Sequence, residues 1–352
     1  MKRLVLLLLI VPSLSVIGQN RLRVNNTGAT GTNVYATFAA AHTAAIANDI
    51  LIADHSDNDY DSPVITKPLT LYGPGYFLSE NLALDSTQAD SRPARIPTIT
   101  FNAGSEGSVI QGMVLGDVFI NANNITVSRC KITGQVFVGQ LGNVQNPNIN
   151  QCFIEGNETV AVRIVDGTNY VLANNLLRNE NPSSADYTLQ VDNGTGLVLN
   201  NIFYGVPKNQ IKNATVQNNL FFFGIIDTVN SSNLTVNHNL SNLGFLNTFY
   251  GGLSNFNYAS ASYLPDSIVC FLMNPSPDIK YRLETNPGVT VTGGNPAVLG
   301  GADGKDMGMW GGAAPYRTSG MPPIPSTWFY QVQATGTQSG GVTVTVKSKS
   351  RT

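Results

Sequence analysis

The phrase Val127-Ser-Arg-Cys130-Lys-Ile132-Thr-Gly134 returns 22 residues later as Ile149-Asn-Gln-Cys152-Phe-Ile154-Glu-Gly156. Shorter copies follow as Leu172-Ala-Asn-Asn175, Val198-Leu-Asn-Asn201, Val216-Gln-Asn-Asn219 and Val236-Asn-His-Asn239. A weaker copy, Val109-Ile-Gln-Gly112, precedes them. Aligned on Gly112, Cys130, Cys152, Asn175, Asn201, Asn219 and Asn239, the copies are spaced by 18, 22, 23, 26, 18 and 20 residues. The position three before this column is always aliphatic. Two after it the residue is apolar in six of seven copies, Ser241 being the exception.

A period near 20 residues with variable insertions describes stacked units, each too small to bury its own apolar face. Apolar positions alternate within short β-branched runs, which favours strands over helices. Leucine-rich repeats have a comparable period but need a regular Leu framework, which is missing. The pattern therefore predicts short strands joined by turns, with successive repeats about 4.8 Å apart. Like side chains then stack in columns. Aliphatic columns fill the interior, and Asn175, Asn201, Asn219 and Asn239 form a ladder of side-chain amides.

On these residues the chain resembles the pectin-lyase-like superfamily of right-handed parallel β-helices, whose coils carry internal Asn ladders. The resemblance implies an all-β, right-handed parallel β-helix solenoid with an N-terminal capping helix. Thr37 to Ala47, with Phe38, Ala41, Ala45 and Ile46 on one face, reads as that helix. The segments Asp49-Ile-Leu-Ile52 and Ile65 to Gly75 resemble first coils, and Asn295 to Gly312 resembles a closing segment of secreted bacterial members. The likeness spans residues 33–315 and speaks to fold, not activity. Beyond it, Pro322-Pro-Ile-Pro325 reads as a stiff linker. Thr327 to Gln333 and Val342 to Lys347 alternate like a C-terminal β-hairpin tail, expected to dock on the solenoid or on a partner. The expected organisation is a signal peptide at 1–18, the solenoid with its cap at 19–320, and linker plus hairpin at 321–352.

The N-terminus sets the expected compartment. Lys2 and Arg3 precede the apolar run Leu4 to Pro12, and small residues before Gln19 suit signal-peptidase cleavage. The run is too short to span a bilayer, so the expectation is a protein that is secreted or held at the cell surface or in the periplasm, with no membrane span. Charged residues make up 12% of the chain, about half the usual share. A net charge of −2 offers no basic patch for nucleic acid or anionic membrane. Three cysteines are too few for a disulfide scaffold. Cys130 and Cys152 share a column, so they read either as two buried thiols or as a bridge; Cys270 reads as core. A monomer is expected.

Chemistry is harder to find. The resemblance implies either an Arg base beside Asp-bound calcium or an Asp cluster with Gly-His-Gly and Arg-x-Lys. The chain has no Gly-His-Gly, and Arg129-Cys130-Lys131 matches Arg-x-Lys in letters only, with Cys130 in the ladder column. Nine residues before that column stand Asn121, Asn143, Asp166, Asp192, Gln210 and Asn230. Asp166 and Asp192 would therefore stack one repeat apart, near the separation of a retaining glycosidase pair or a shared cation site, with Arg163 and Arg178 close in sequence. Amides in the same column offer a plainer reading, a corner that bonds its own turn. Asp54, Asp57, Asp59 and Asp61 on one loop could present oxygens to calcium, the one cofactor the sequence suggests, or simply face solvent. They lack the Gly and distal Glu of an EF-hand. His42, His55 and His238 are scattered.

The aromatic run Phe221-Phe-Phe223, with Phe245, Phe249, Tyr250, Phe256 and Tyr258, could be core packing or a sugar-stacking platform. Eight Asn-x-Ser/Thr matches, Asn124, Asn213 and Asn233 among them, fall where corners already favour Asn. The expected function is a non-catalytic glycan-binding or structural, adhesive element whose partner is an extracellular polysaccharide or a cell-surface component. The alternative is a polysaccharide lyase or glycoside hydrolase. The outward face of the longest strand stack separates them: acids, Arg and exposed rings in a groove for an enzyme, a smooth Thr/Asn/Ser surface for a structural role.

Overall fold

The computed structural model describes residues 19–81, 88–156, 159–179, 187–205, 208–241, 255–257, 271–272, 276–283, 295–332, 335 and 341–349. The signal-peptide reading, Cys270 and the aromatics Phe245, Phe249, Tyr250 and Tyr258 lie outside the described residues, as does the side chain of Phe256.

Each repeat supplies three short strands because its apolar residues alternate in three runs separated by corners. The repeat around Cys130 gives Thr126–Ser128, Lys131–Ile132 and Val136–Val138 before Asn148–Asn150 opens the next. Strands of one kind pair only with their counterparts in neighbouring repeats, in parallel: Val127 opposite Ile149, Ile132 opposite Ile154, Val136 opposite Val162. Among the described residues the first stack is a 12-stranded sheet. The second and third are fused into a 15-stranded sheet. They join because Val114–Ile120 is long enough to pair Val114 with Lys131 at one end and Val118 with Val136 at the other. The result is a solenoid-like stack of parallel sheets. Its core runs along the axis through Ile110, Val127, Ile149, Leu172, Val198, Val216 and Val236, none more than 3% exposed. No helix among the described residues is long and apolar enough to cross a membrane.

The corner between the first and second stacks explains the repeating phrase. The residue just before the ladder column is left-handed in every repeat: Gly112, Arg129, Gln151, Asn174, Asn200, Asn218 and His238, with φ between 50° and 73°. This bend takes the next backbone N–H out of its ladder, and the Asn of the following repeat replaces the lost acceptor. Asn175 N donates to Asn201 Oδ1 (3.0 Å), Asn201 N to Asn219 Oδ1 (2.8 Å) and Asn219 N to Asn239 Oδ1 (2.9 Å). Each Nδ2 also donates to the aliphatic column of the preceding repeat, as Asn201 does to Leu172 O at 2.8 Å. The ladder continues to Asn255, which accepts from Asn239 N at 3.0 Å. Below the Asn residues come Cys152 and Cys130, free buried thiols that donate to Asn150 O and Ser128 O, each at 3.2 Å. Burial pushes the Cys130 thiol up to about 12.

The first copy needs correction by one residue. Val109 pairs with Thr126 and Ile110 with Val127, so Met113 stands under Cys130 and Leu115, not Val114, under Ile132. Gly112 belongs to the left-handed corner, where φ is +73° and an added Cβ would meet Gly73 O at 2.8 Å.

The N-terminal helix spans Phe38–Ala44, shorter than its apolar pattern. Thr37 Oγ1 accepts from Ala40 N (3.1 Å), and the Asp61 carboxylate accepts from Phe38 N (2.7 Å) and Ala39 N (2.8 Å). At the other end Lys67 Nζ donates to the carbonyls of His42 (2.8 Å) and Ala45 (2.8 Å), which fixes the helix end. Phe38, Ala41 and Ala45 are buried as their spacing requires, whereas Ile46 is 43% exposed.

The segment 295–321 runs back along the stack as a strap. Its Ala302 N donates to Asn218 Oδ1 (2.9 Å). Farther on, Asn174 Nδ2 donates to Met309 O (3.1 Å) and Gly311 O (2.8 Å), Gln151 Nε2 to Pro315 O (2.8 Å) and Arg129 to Met321 O (3.2 Å). The left-handed corner residues thus hold the strap, repeat by repeat. Beneath it Met307, Met309 and Tyr316 join Phe153, Leu176, Ile202, Leu220 and Leu240 in a second core on the outer face of the second stack. The tail is an antiparallel hairpin of Ser326–Val332 and Val344–Lys349, and every residue of the latter strand is exposed.

Candidate functional site

The register separates the carboxylates expected to stack. Gly167 pairs with Gly194, which sets Asn193 opposite Asp166 and shifts Asp192 one position back. The cause is a bulge between Thr168 and Tyr170, where left-handed Asn169 adds a residue. Asp166 Oδ1 accepts from Asn143 Nδ2 (2.9 Å) and Asn193 Nδ2 (3.0 Å), so the corner side chains bond one another from repeat to repeat, with Asp166 as the acceptor. Asp192 instead forms an ion pair with Arg163 (2.7 Å) and accepts from Gln190 Nε2 (2.8 Å). Arg163 follows Phe119 and Phe137 in one outward column of the third stack. Those two rings are stacked, 5.5 Å apart and 4° from parallel, and half-buried. Sequence reading passed over this pair, although alternation in Val118-Phe-Ile120 and Val136-Phe-Val138 turns both rings outward. Among the aromatics singled out, Phe221 and Phe222 are buried, with Phe221 stacked on Phe203 at 4.8 Å inside the core.

The acidic loop does not converge on a cation. Asp54 bonds Arg23 (2.7 Å) and Asn25, Asp57 pairs with Arg92 (2.9 Å), and Asp61 holds the helix N-terminus. Asp59 enters the described bonding through its backbone carbonyl, which accepts from Asn26. No group of three or more His, Cys, Asp or Glu side chains among the described residues is placed to hold a metal ion. The loop uses Asp54, Asp57 and Asp61 to fasten neighbouring segments, the plainer of the two roles open to the acids Asp54, Asp57, Asp59 and Asp61.

Next to this loop an open cleft of about 800 Å³ lies between the first repeats and the tail, lined by His55, Asp90, Arg92, Pro74, Ile324 and Thr327 among others. His55 Nδ1 lies 2.6 Å from Arg92 O. A carbonyl only accepts, so Nδ1 is the donor in this contact. Arg92 bonds Asp90 at 2.6 Å and holds its carboxyl below the usual range. Each of Asp54, Asp90 and Arg92 already has an opposite charge.

The longest uninterrupted feature is the outer face of the first stack. Its two outward columns from the strand Thr70–Tyr72 onward are Thr70, Val109, Thr126, Asn148, Val171, Leu197, Thr215 and Thr235, and beside them Tyr72, Gln111, Ser128, Asn150, Ala173, Leu199, Gln217 and Asn237. None is charged, and all but Ser128 keep solvent exposure. A further stack of exposed Asn flanks them, Asn146 Nδ2 donating to Asn124 Oδ1 (2.9 Å) and Asn169 Nδ2 to Asn146 Oδ1 (3.3 Å). These Asn are left-handed, which accounts for the Asn-x-Thr match at Asn124.

Comparison with known proteins yields no matching family model and no matching curated protein.

Proposed function

We propose that the chain is an exported right-handed parallel β-helix of the pectin-lyase-like kind that serves as a non-catalytic glycan-binding or structural element outside the cell. One observation carries this reading: from Thr70 to Thr235 the outward face of the first stack is an uncharged surface, mostly Thr, Asn, Gln and aliphatic side chains. It supplies hydroxyls and amides that bond sugars without offering a nucleophile or a proton donor with a shifted pKa. The carboxylates expected to do chemistry are engaged with Asn143, Asn193 and Arg163.

The enzyme reading keeps one observation in its favour, the Phe119–Phe137 rings and Arg163 on one outward column, with Asp192 paired to Arg163 at 2.7 Å. The two are separated by incubating purified residues 19–352 with acidic and neutral polysaccharides, with and without Ca²⁺, and following unsaturated products and new reducing ends. Retention on a glycan without cleavage is the expected result. Cleavage abolished by Asp166→Asn or Asp192→Asn would overturn it.

A further inference from the structure

We infer that the charge-free part of the first stack's outer face, from Thr70 to Thr235, is the binding surface, and that its ligand is the flat surface of a neutral, insoluble polysaccharide. This rests on the glycan-binding reading and names the substrate class within it. From Thr70 to Thr235 eight strands lie side by side, a length of about 34 Å at the usual strand spacing. No Lys, Arg, Asp or Glu projects from either outward column over that length. A polyanionic glycan is held by cations that form charge-assisted bonds with its carboxylates, and this face has none to give. Neutral sugar hydroxyls need what it does carry: hydroxyls and amides that both donate and accept, as at Thr126, Asn148 and Thr215. Between them Val171 and Leu197, the latter 40% exposed, match the apolar faces of sugar rings.

Rigidity decides between a flat solid and a soluble chain. The face is one parallel sheet of eight paired strands, held along its edge by the Asn ladder at the corner with the second stack. A rigid array loses little entropy on meeting a rigid partner, whereas a soluble polymer would have to be ordered along the whole length.

The test is co-sedimentation of residues 19–352 with microcrystalline cellulose and with crystalline chitin, beside capture on immobilised polygalacturonate. Variants are Thr126→Arg and Thr215→Arg, outward positions where a long charged side chain breaks flatness without entering the core. Thr343→Arg on the hairpin serves as control, and thermal unfolding confirms that each variant folds. The expected result is sedimentation with at least one neutral solid, unchanged between about 0.05 and about 1 M NaCl because no ion pair is screened. Both face variants should then weaken it at least tenfold, and Thr343→Arg should not. Retention on polygalacturonate alone would overturn this inference and leave the glycan-binding reading standing. Sedimentation that the face variants leave intact would overturn the placement of the site. Binding to none of the three would overturn both, and a mass doubled in solution and returned to one chain by Thr126→Arg would assign the face to a second copy instead.

Discussion

At the scale of single residues, the ladder asparagines do two jobs at once, accepting through the amide oxygen and donating through the amide nitrogen. Asn201 accepts the backbone N–H and the side-chain amide of Asn175, each at 3.0 Å, and donates to Leu172 O at 2.8 Å, all buried. Asn201→Ala leaves the Asn175 backbone N–H without its acceptor and takes one bond each from Leu172 O and from Asn175 Nδ2, which keeps Ile149 O at 2.9 Å. At roughly 1–3 kcal/mol for an unsatisfied buried group, the loss should be about 1–3 kcal/mol, read as a lower midpoint in urea unfolding. A cost under about 1 kcal/mol would contradict the role given to the ladder. His42 offers a pH-dependent counterpart. Its Nε2 accepts from Thr66 N (3.1 Å), which requires the neutral ring, and burial followed by the charge of Lys67 lowers its pKa. The unfolded chain then takes up a proton near pH 6.5 before the folded one does. Stability from this group is complete above that pH, falls as the pH drops toward the lower folded value, and is level below it. Thermal unfolding between pH 8 and pH 5 should show this loss, and His42→Asn should flatten it.

Among elements, the strap is the least local part of the fold and the part least visible in sequence. The resemblance of 295–312 to a closing segment implies only that the solenoid ends nearby. That the segment turns back over the second stack depends on which carbonyls meet Asn174, Gln151 and Arg129, more than 100 residues away in sequence. No local pattern records such pairings. Asn174→Ala removes two donors to buried strap carbonyls, at 2.8 and 3.1 Å. Faster amide hydrogen exchange should follow in 300–321, while the inner strands stay protected, because the strap's contacts can open without unstacking the repeats. Uniform loss of protection would mean that strap and stack are one cooperative unit. The hairpin carries Val342, Val344 and Val346, each more than half exposed, so its strand contributes little to either core.

For the whole molecule, much of the stack was legible and its exact register was not. Aliphatic and amide columns show in the spacing because every repeat turns the same left-handed corner. Counting failed wherever a corner or bulge added a residue. Gly112 was aligned with Cys130 because a glycine gives no sign of which side of the bend it occupies. Asp192 was aligned with Asp166 because the extra residue at Asn169 cannot be seen in the spacing. Asn255 escaped notice because Gly252-Leu-Ser-Asn255 brings its aliphatic residue one position late. The sequence leaves open whether the outward face of the first stack carries acids and rings or Thr, Asn and Ser; its freedom from charge between Thr70 and Thr235 follows only from the pairing of strands.

A linear stack held by nearest neighbours makes a sharp demand on protection. The most direct measurement is residue-resolved hydrogen exchange of the backbone amides of Cys152, Asn175, Asn201, Asn219 and Asn239, each of which donates to the next Asn Oδ1 at 2.8–3.0 Å. The account predicts that these five are among the slowest in the molecule, and that Asn219→Ala speeds Asn201 and its neighbours while the repeats around Cys130 keep their protection. Exchange of these amides at the rate of exposed loops would contradict it.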